Sequence, residues 1–98
     1  MEDIMELGGN IILEGFSSLD NIQMIVIKKI VGNYAKAIAE EKKKSYEKLI
    51  VTMNKEGESF KINVALKEAG NEGKAEAADK NLFMAVDNAF KNLIEKLS

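Results

Sequence analysis

The side chains that could do chemistry in this chain are carboxylates, hydroxyls and lysines. Its 98 residues include neither His nor Cys, which excludes His-based acid–base catalysis, thiolate chemistry, disulfides and zinc sites built from those ligands. Carboxylates are plentiful, but none lies in an apolar stretch with a partner at helical or strand spacing. No glycine-rich phosphate loop occurs either. The sequence therefore predicts no enzyme, no catalytic residue, no metal site and no cofactor.

Lysine supplies all 14 positive charges, and Arg is absent. Without a guanidinium, no side chain can make a bidentate contact with phosphate or guanine. Any nucleic-acid contact would therefore be a lysine–phosphate contact, which is sensitive to salt and blind to base sequence. The net charge is −2, so a basic face requires segregation of charge. The one basic run is Lys42, Lys43 and Lys44.

Length and composition favour one soluble domain over residues 1–98. Hydrophobic residues make up 46% of the chain, enough for an ordinary core, and no segment approaches a membrane span. The acidic start, Met1-Glu2-Asp3, does not resemble a secretory signal, so a cytoplasmic location is expected. We interpret residues 1–9 as a loose lead-in, with pairing at a sheet edge as the alternative.

The first half of the chain predicts a strand followed by a long helix. An apolar run within residues 10–16 suits a buried strand, and Ser17 to Asp20 reads as a helix start capped by a Ser hydroxyl. Two apolar stripes then run along the helix, which fades in the charged stretch 39–44. We interpret this wide apolar arc as covered by the sheet and the second helix. An exposed strip that contacts a partner is the alternative.

The second half predicts three strands and a second helix. Alternating patterns indicate strands over residues 46–54, 60–66 and 74–78, with a hairpin turn at Gly57. The Gly70–Gly73 spacing is that of a KH loop, but its place between two strands indicates a turn. Asn81 is the expected cap of a helix over 82–97. The order is β-α-β-β-β-α, an α+β fold with a four-stranded, mainly antiparallel sheet and two helices packed on one face.

Lysines of the predicted strands offer one further candidate basic patch. They lie on the solvated face of the sheet and could align across neighbouring strands. The alternative is that they only keep the sheet soluble and protect its edges. Few aromatic residues accompany them, so an aromatic platform for stacking bases is missing. The residues are Lys48, Lys61, Lys67 and Lys74.

The last quarter of the chain resembles the closing unit of the ribosome hibernation-promoting factors. The strand Ala75-x-Ala77 is followed by a turn and then by Leu82-Phe83-Met84-Ala85-Val86-Asp87, with Phe83 where that family usually has Tyr. A weaker similarity lies in the first helix, where an acidic residue, apolar residues and Lys fall at the family's helical spacing. These are Asp20, Ile22, Val26 and Lys29.

The resemblance implies the family's β-α-β-β-β-α fold and a non-enzymatic factor that binds the small ribosomal subunit near the decoding centre. At that site the factor would exclude mRNA and tRNA. Neither DNA nor a membrane is an expected partner. In the family, basic residues of the helices and adjacent loops meet rRNA phosphates. Lys29 fits by position, and the other candidates follow from charge. They are Lys28, Lys36, Lys42, Lys43, Lys44, Lys80 and Lys91.

The chain also departs from the family pattern. Asn92 and Glu95 stand at places in the last helix that are often basic. A second hypothesis therefore remains open, in which the chain is a protein-interaction module or a homodimer formed through the first helix. The wide apolar arc of that helix and the net acidity motivate it.

Overall fold

The protein, represented by a computed structural model, is described over residues 4–8, 10–41, 46–68 and 70–97. Seven elements follow one another within these described ranges. They are β1 (Ile4–Leu7), β2 (Ile11–Glu14), α1 (Asn21–Glu41), β3 (Lys48–Glu56), β4 (Ser59–Glu68), β5 (Asn71–Asp79) and α2 (Leu82–Leu97).

The sheet has five strands in the order β1-β2-β3-β4-β5, so the expectation of four strands is wrong. The additional strand is β1, which pairs antiparallel with β2 in a register that sets Met5 opposite Leu13. The segment expected to be a loose lead-in is therefore an edge strand over Ile4–Leu7. The alternative interpretation, pairing at a sheet edge, is confirmed for these four residues, which are too few for a period-2 pattern to favour a strand from sequence. The expected mainly antiparallel character is confirmed, since among the described strands only β2 and β3 pair in parallel.

One face of the sheet carries the core and the other faces solvent. Leu49, Val51 and Met53 of β3 are buried, as are Ile62, Val64 and Leu66 of β4. These are the alternations that the sequence predicts. Both helices cover this face, and their inward side chains join a single apolar cluster with the strands. The helical members are Ile27, Val31, Ala35, Ile38, Leu82, Ala85, Val86, Ala89, Phe90 and Leu93.

The strand directions set both helices running the same way. Strands β2, β3 and β5 are mutually parallel because β4 is antiparallel to both of its neighbours. Helix α1 follows β2 and α2 follows β5, so each runs back along the sheet from the same end. The two helices therefore form one layer, and their outward side chains form one continuous surface.

The cap of α1 is Asp20, not a serine as the sequence suggested. The backbone N–H of Gln23 donates to the Asp20 carboxylate at 2.7 Å, and the N–H of Asp20 donates to the Gln23 side-chain oxygen at 3.2 Å. This reciprocal pair is a capping box. The helix therefore begins at Asn21, and a carboxylate at its N-terminus interacts favourably with the helix dipole.

The apolar arc of α1 is covered on one side only. Ile27, Val31 and Ile38 are buried, whereas the side chains of Ile22 and Ile25 are 75% and 65% exposed. The interpretation that both edges of the arc are covered is therefore wrong for the outer edge. Inside the same helix, no atom of a neighbouring element lies within 4 Å of the position that a Cβ of Gly32 would take.

A close approach does occur at Gly15, between β2 and α1. Its φ is +82°, and a Cβ there would lie 2.4 Å from the carbonyl oxygen of Met53. Both the backbone conformation and the space require glycine at this position. Because Gly15 follows β2 directly, it lets the chain leave the sheet against β3 and begin the crossover that carries α1.

Helix α2 is held at both of its ends by polar side chains. At its start the Asn81 side chain accepts from the N–H groups of Phe83 and Met84 at 2.9 and 3.1 Å, which confirms the expected cap. Towards its end Asn92 and Lys96 donate to backbone carbonyls of β5, at 3.0 Å to Glu76 and 2.7 Å to Lys74. These bonds occupy carbonyls on the outer edge of β5 and so protect it from pairing with another strand.

Candidate nucleic-acid interface

The outward side of α1 carries three of the predicted RNA-binding lysines. Lys28, Lys29 and Lys36 are exposed, and none forms an ion pair with any residue that the structure describes. The sequence of α1 contains no acidic residue before Glu40. Lys29 and Lys36 are two turns apart, so their Cα atoms are about 10 Å apart along the helix. The three ammonium groups are therefore available to an anion.

A fourth predicted lysine, Lys91, lies on α2 beside the boundary with α1. The ammonium of Lys91 contacts the carboxylate of Asp87 at 2.9 Å, one helical turn earlier. The other carboxylate oxygen of Asp87 accepts a hydrogen bond from the hydroxyl of Tyr34 on α1, and the ring of Tyr34 stacks on Phe90 with centroids 5.0 Å apart. Lys91 therefore has its charge partly compensated, unlike the three lysines of α1.

The Tyr34–Asp87 contact gives the acidic residue of the Leu82–Asp87 motif a structural role. Leu82, Ala85 and Val86 point into the core, and Asp87 joins α2 to α1. Burial and the bonded carboxylate raise the pKa of Tyr34 to about 12. The Tyr34 hydroxyl and then Lys91 hold the pKa of Asp87 below its ordinary value. At neutral pH the tyrosine is protonated and the aspartate ionised, the pair of states that this hydrogen bond requires.

The remaining predicted lysines lie elsewhere or outside the described residues. Lys80 is exposed in the turn before α2, at the end of the molecule where α1 also begins. Its ammonium lies 4.0 Å from Glu58, and because both groups are largely exposed this pair contributes little. Lys42, Lys43 and Lys44 fall in the range 42–45 that the structure does not describe.

The solvated face of the sheet is not a basic patch. Lys61 pairs with Glu76 at 3.1 Å, and Glu72 lies 3.0 Å from Lys74 and 4.0 Å from Lys67. The register explains this, because Lys67 of β4 faces Glu72 of β5. The basic-patch interpretation is wrong for Lys61, Lys67 and Lys74, since acidic residues on β5 compensate them. Lys48 faces Lys67 across the ladder and has no acidic partner among the described residues. The alternative, that these lysines serve solubility and edge protection, fits these pairs.

A shallow depression of about 470 Å³ lies over β3, β4 and β5. Its charged side chains include Lys74 and Glu76, which are paired with Glu72 and Lys61. Among the described residues, no three Asp or Glu side chains come close enough to hold a metal ion, and no helix is long and apolar enough to cross a membrane. The outward face of the helical layer is therefore the strongest candidate site.

Sequence reasoning missed the Tyr34–Asp87–Lys91 cluster. The spacing of Asp87 and Lys91 is the i,i+4 spacing of a helical ion pair, which is a visible signal. Tyr34 gives no such signal, because its partner is 53 residues away in sequence.

The fold is similar to that of a solved structure over nearly the whole chain. It is the N-terminal domain of Protein Y from Thermus thermophilus, with a TM-score of 0.61, 20% sequence identity, and coverage of 95% of this chain and 96% of that one. No protein-family model matches the chain, and no curated protein matches it.

Proposed function

We propose that this protein is a non-enzymatic, ribosome-associated factor that binds rRNA of the small subunit and holds the ribosome idle in the cytoplasm. The observation that carries the proposal is the shared fold with Protein Y, a ribosome hibernation factor, over 95% of the chain. The resemblance of Leu82–Asp87 to the closing motif of that family supports it independently. Bound near the decoding centre, the domain would exclude mRNA and tRNA.

The charges of the helical layer support the RNA contact. Lys28, Lys29 and Lys36 point to solvent from α1 without described acidic partners. Lys91 lies on the adjoining helix, next to the contact between Asp87 and Tyr34. In an otherwise acidic protein, these residues are where a phosphate backbone meets least repulsion. Each lysine would contact a phosphate as a point charge, so the affinity falls with salt and does not depend on base identity.

The direct test is co-sedimentation of the purified protein with small ribosomal subunits from its own source, at low and at physiological salt. Stoichiometric binding at physiological salt, together with inhibition of translation in vitro, is the expected result. Absence of binding at both salts would refute the proposal. Replacing Lys42, Lys43 and Lys44 with Glu should weaken binding, and an unchanged affinity across a salt series would remove that run from the contact surface.

Self-association through α1 is the second candidate, and the exposed pair Ile22 and Ile25 favours it. Unpaired lysines on the same face oppose it, because two copies of α1 would bring like charges together. Sedimentation velocity at micromolar concentration distinguishes the two. A stable dimer without affinity for subunits would support the second candidate.

A further inference from the structure

The outward side of α1 carries a regular stripe that the RNA contact does not explain. Its six residues alternate in steps of three and four, the spacing of a and d positions in a coiled coil. All six are exposed, so the stripe runs along about 26 Å of one uncovered helix face. In chain order they are Ile22, Ile25, Lys29, Gly32, Lys36 and Ala39.

The first two positions of the stripe are large and apolar. Ile22 and Ile25 are 75% and 65% exposed, more than any of the other large apolar side chains on the described surface. They are adjacent at i and i+3, so they form one contiguous patch. Polar phosphates and riboses would not be stabilised by contact with such a patch, whereas apolar side chains of a protein would bury it away from water.

The middle of the stripe combines positive charge with small size. Lys29 and Lys36 have no described ionic partner, and Gly32 lies between them. Glycine inside an exposed helix disfavours the helix, and the fold does not need it, because no atom lies within 4 Å of the missing Cβ. Because Gly32 and Ala39 have little or no side chain, another helix can approach α1 closely at these two positions. The distance between packed helices depends on the side chains at the contact.

We propose that this stripe docks an acidic amphipathic helix of a partner protein. Apolar side chains of that helix would cover Ile22 and Ile25, and its carboxylates would lie over Lys29 and Lys36. A second copy of this chain fits less well, because its stripe carries no carboxylate to place over Lys29 and Lys36. RNA would match the lysines but leave the isoleucines exposed.

The docked helix would cover two of the lysines proposed to contact rRNA, so it would act as a negative regulator of ribosome binding. This regulatory consequence rests on the proposed function, whereas the docking itself does not. Dissociation of the partner helix would leave Lys29 and Lys36 free to contact rRNA again.

The probe is a fluorescein-labelled synthetic helix of 21 residues with two Leu and two Glu at the complementary stripe positions. Two versions place the Leu pair at opposite ends, to cover parallel and antiparallel docking. A peptide of the same composition with shuffled order is the control. We expect saturable binding of one version, measured by fluorescence anisotropy, at least tenfold tighter than the shuffled peptide. Equal affinity for designed and shuffled peptides, or no affinity for any, would overturn the proposal.

Two variants locate the contact. The pair Ile22→Ser and Ile25→Ser should weaken peptide binding at least tenfold. Gly32→Gln should weaken it similarly while raising the thermal stability of the protein, which separates lost docking from unfolding. Met84→Ser, at an exposed apolar position on α2, is the matched control and should bind as the unmodified protein does. Unchanged binding by both stripe variants would contradict the assignment.

Competition with small subunits separates this proposal from the proposed function. The bound peptide should be displaced by subunits, and the isoleucine variant should keep its affinity for subunits. Simultaneous binding of peptide and subunits would refute the regulatory role. If the protein binds the peptide but does not bind small subunits, the docking site would be supported and the ribosomal function refuted.

Discussion

At the scale of single residues, the contact between Tyr34 and Asp87 explains most about how the helical layer is held. It joins α1 to α2 through a carboxylate that also contacts Lys91. The lysines proposed to meet RNA lie on either side of this contact. Their relative positions therefore depend on one hydrogen bond as well as on the apolar core beneath it.

Tyr34→Phe should lower the free energy of unfolding by about 1–2 kcal/mol, because a hydrogen bond to a charged group is lost. The pKa of Asp87 should rise towards its ordinary value, since its first stabilising partner is removed. Chemical denaturation and an NMR titration of the carboxylate measure both effects. Tyr46→Phe is the matched control, because no hydrogen bond of that hydroxyl is found among the described residues. Equal losses in the two variants would contradict the role given to Asp87.

The same contact predicts how stability depends on pH. The pKa of Tyr34 is raised to about 12 from about 10 in the unfolded chain. The folded state therefore retains a proton that the unfolded state releases, and stability falls as the pH rises from about 10 to 12. Denaturation curves at several pH values should show a steeper alkaline fall for the natural protein than for Tyr34→Phe. Parallel curves would mean that Tyr34 does not contribute.

At the scale of elements, helix and strand patterns were readable from sequence wherever they were long. The alternation of β4 predicted its buried face correctly, since Ile62, Val64 and Leu66 are buried. Edge pairing of the N-terminal segment was only the alternative interpretation, because the four residues of β1 need Leu13 and its neighbours across the sheet to form a strand. A Ser cap was expected where Asp20 acts, although Asp20 and Gln23 have the spacing of a capping box.

Asp20→Ala should destabilise the protein by about 1 kcal/mol, because the first turn of α1 loses a capping side chain. Ser18→Ala is the control and should change stability by less than about 0.5 kcal/mol, since Ser18 is exposed and lies outside the cap. Thermal and urea denaturation measure both. A larger loss of stability in Ser18→Ala than in Asp20→Ala would mean that Ser18, not Asp20, caps α1.

Two glycines should respond in opposite directions to the same substitution. Gly32→Ala should stabilise the protein by about 0.5–1 kcal/mol, because the position is an exposed helix interior with free space around it. Gly15→Ala should destabilise it by more than about 1 kcal/mol, since its φ is positive and the new Cβ would meet the Met53 carbonyl oxygen. Urea denaturation of both variants is the measurement. Destabilisation by Gly32→Ala would reveal a packing role for Gly32 that the structure lacks.

At the scale of the whole molecule, the two faces differ in how their charges are paired. On the open sheet face, Lys61, Lys67 and Lys74 are matched by Glu72 and Glu76, whereas the lysines of α1 have no described acidic partner. Composition alone could not reveal this, because the net charge of −2 does not depend on where the charges lie. Three predicted RNA-binding lysines come together on α1, and the fold that places them there is shared with the Protein Y domain.

The measurement that tests the central claim most directly compares two charge-matched variants for affinity to small ribosomal subunits across a salt series. One variant replaces Lys28, Lys29 and Lys36 with Gln; the other replaces Lys48, Lys61 and Lys67 with Gln on the open sheet face. The helix variant should bind at least tenfold more weakly and lose about three units of salt dependence, since each phosphate contact contributes nearly one unit. The sheet variant should bind as the natural protein does. Equal affinities and equal salt slopes for the two variants would contradict the account.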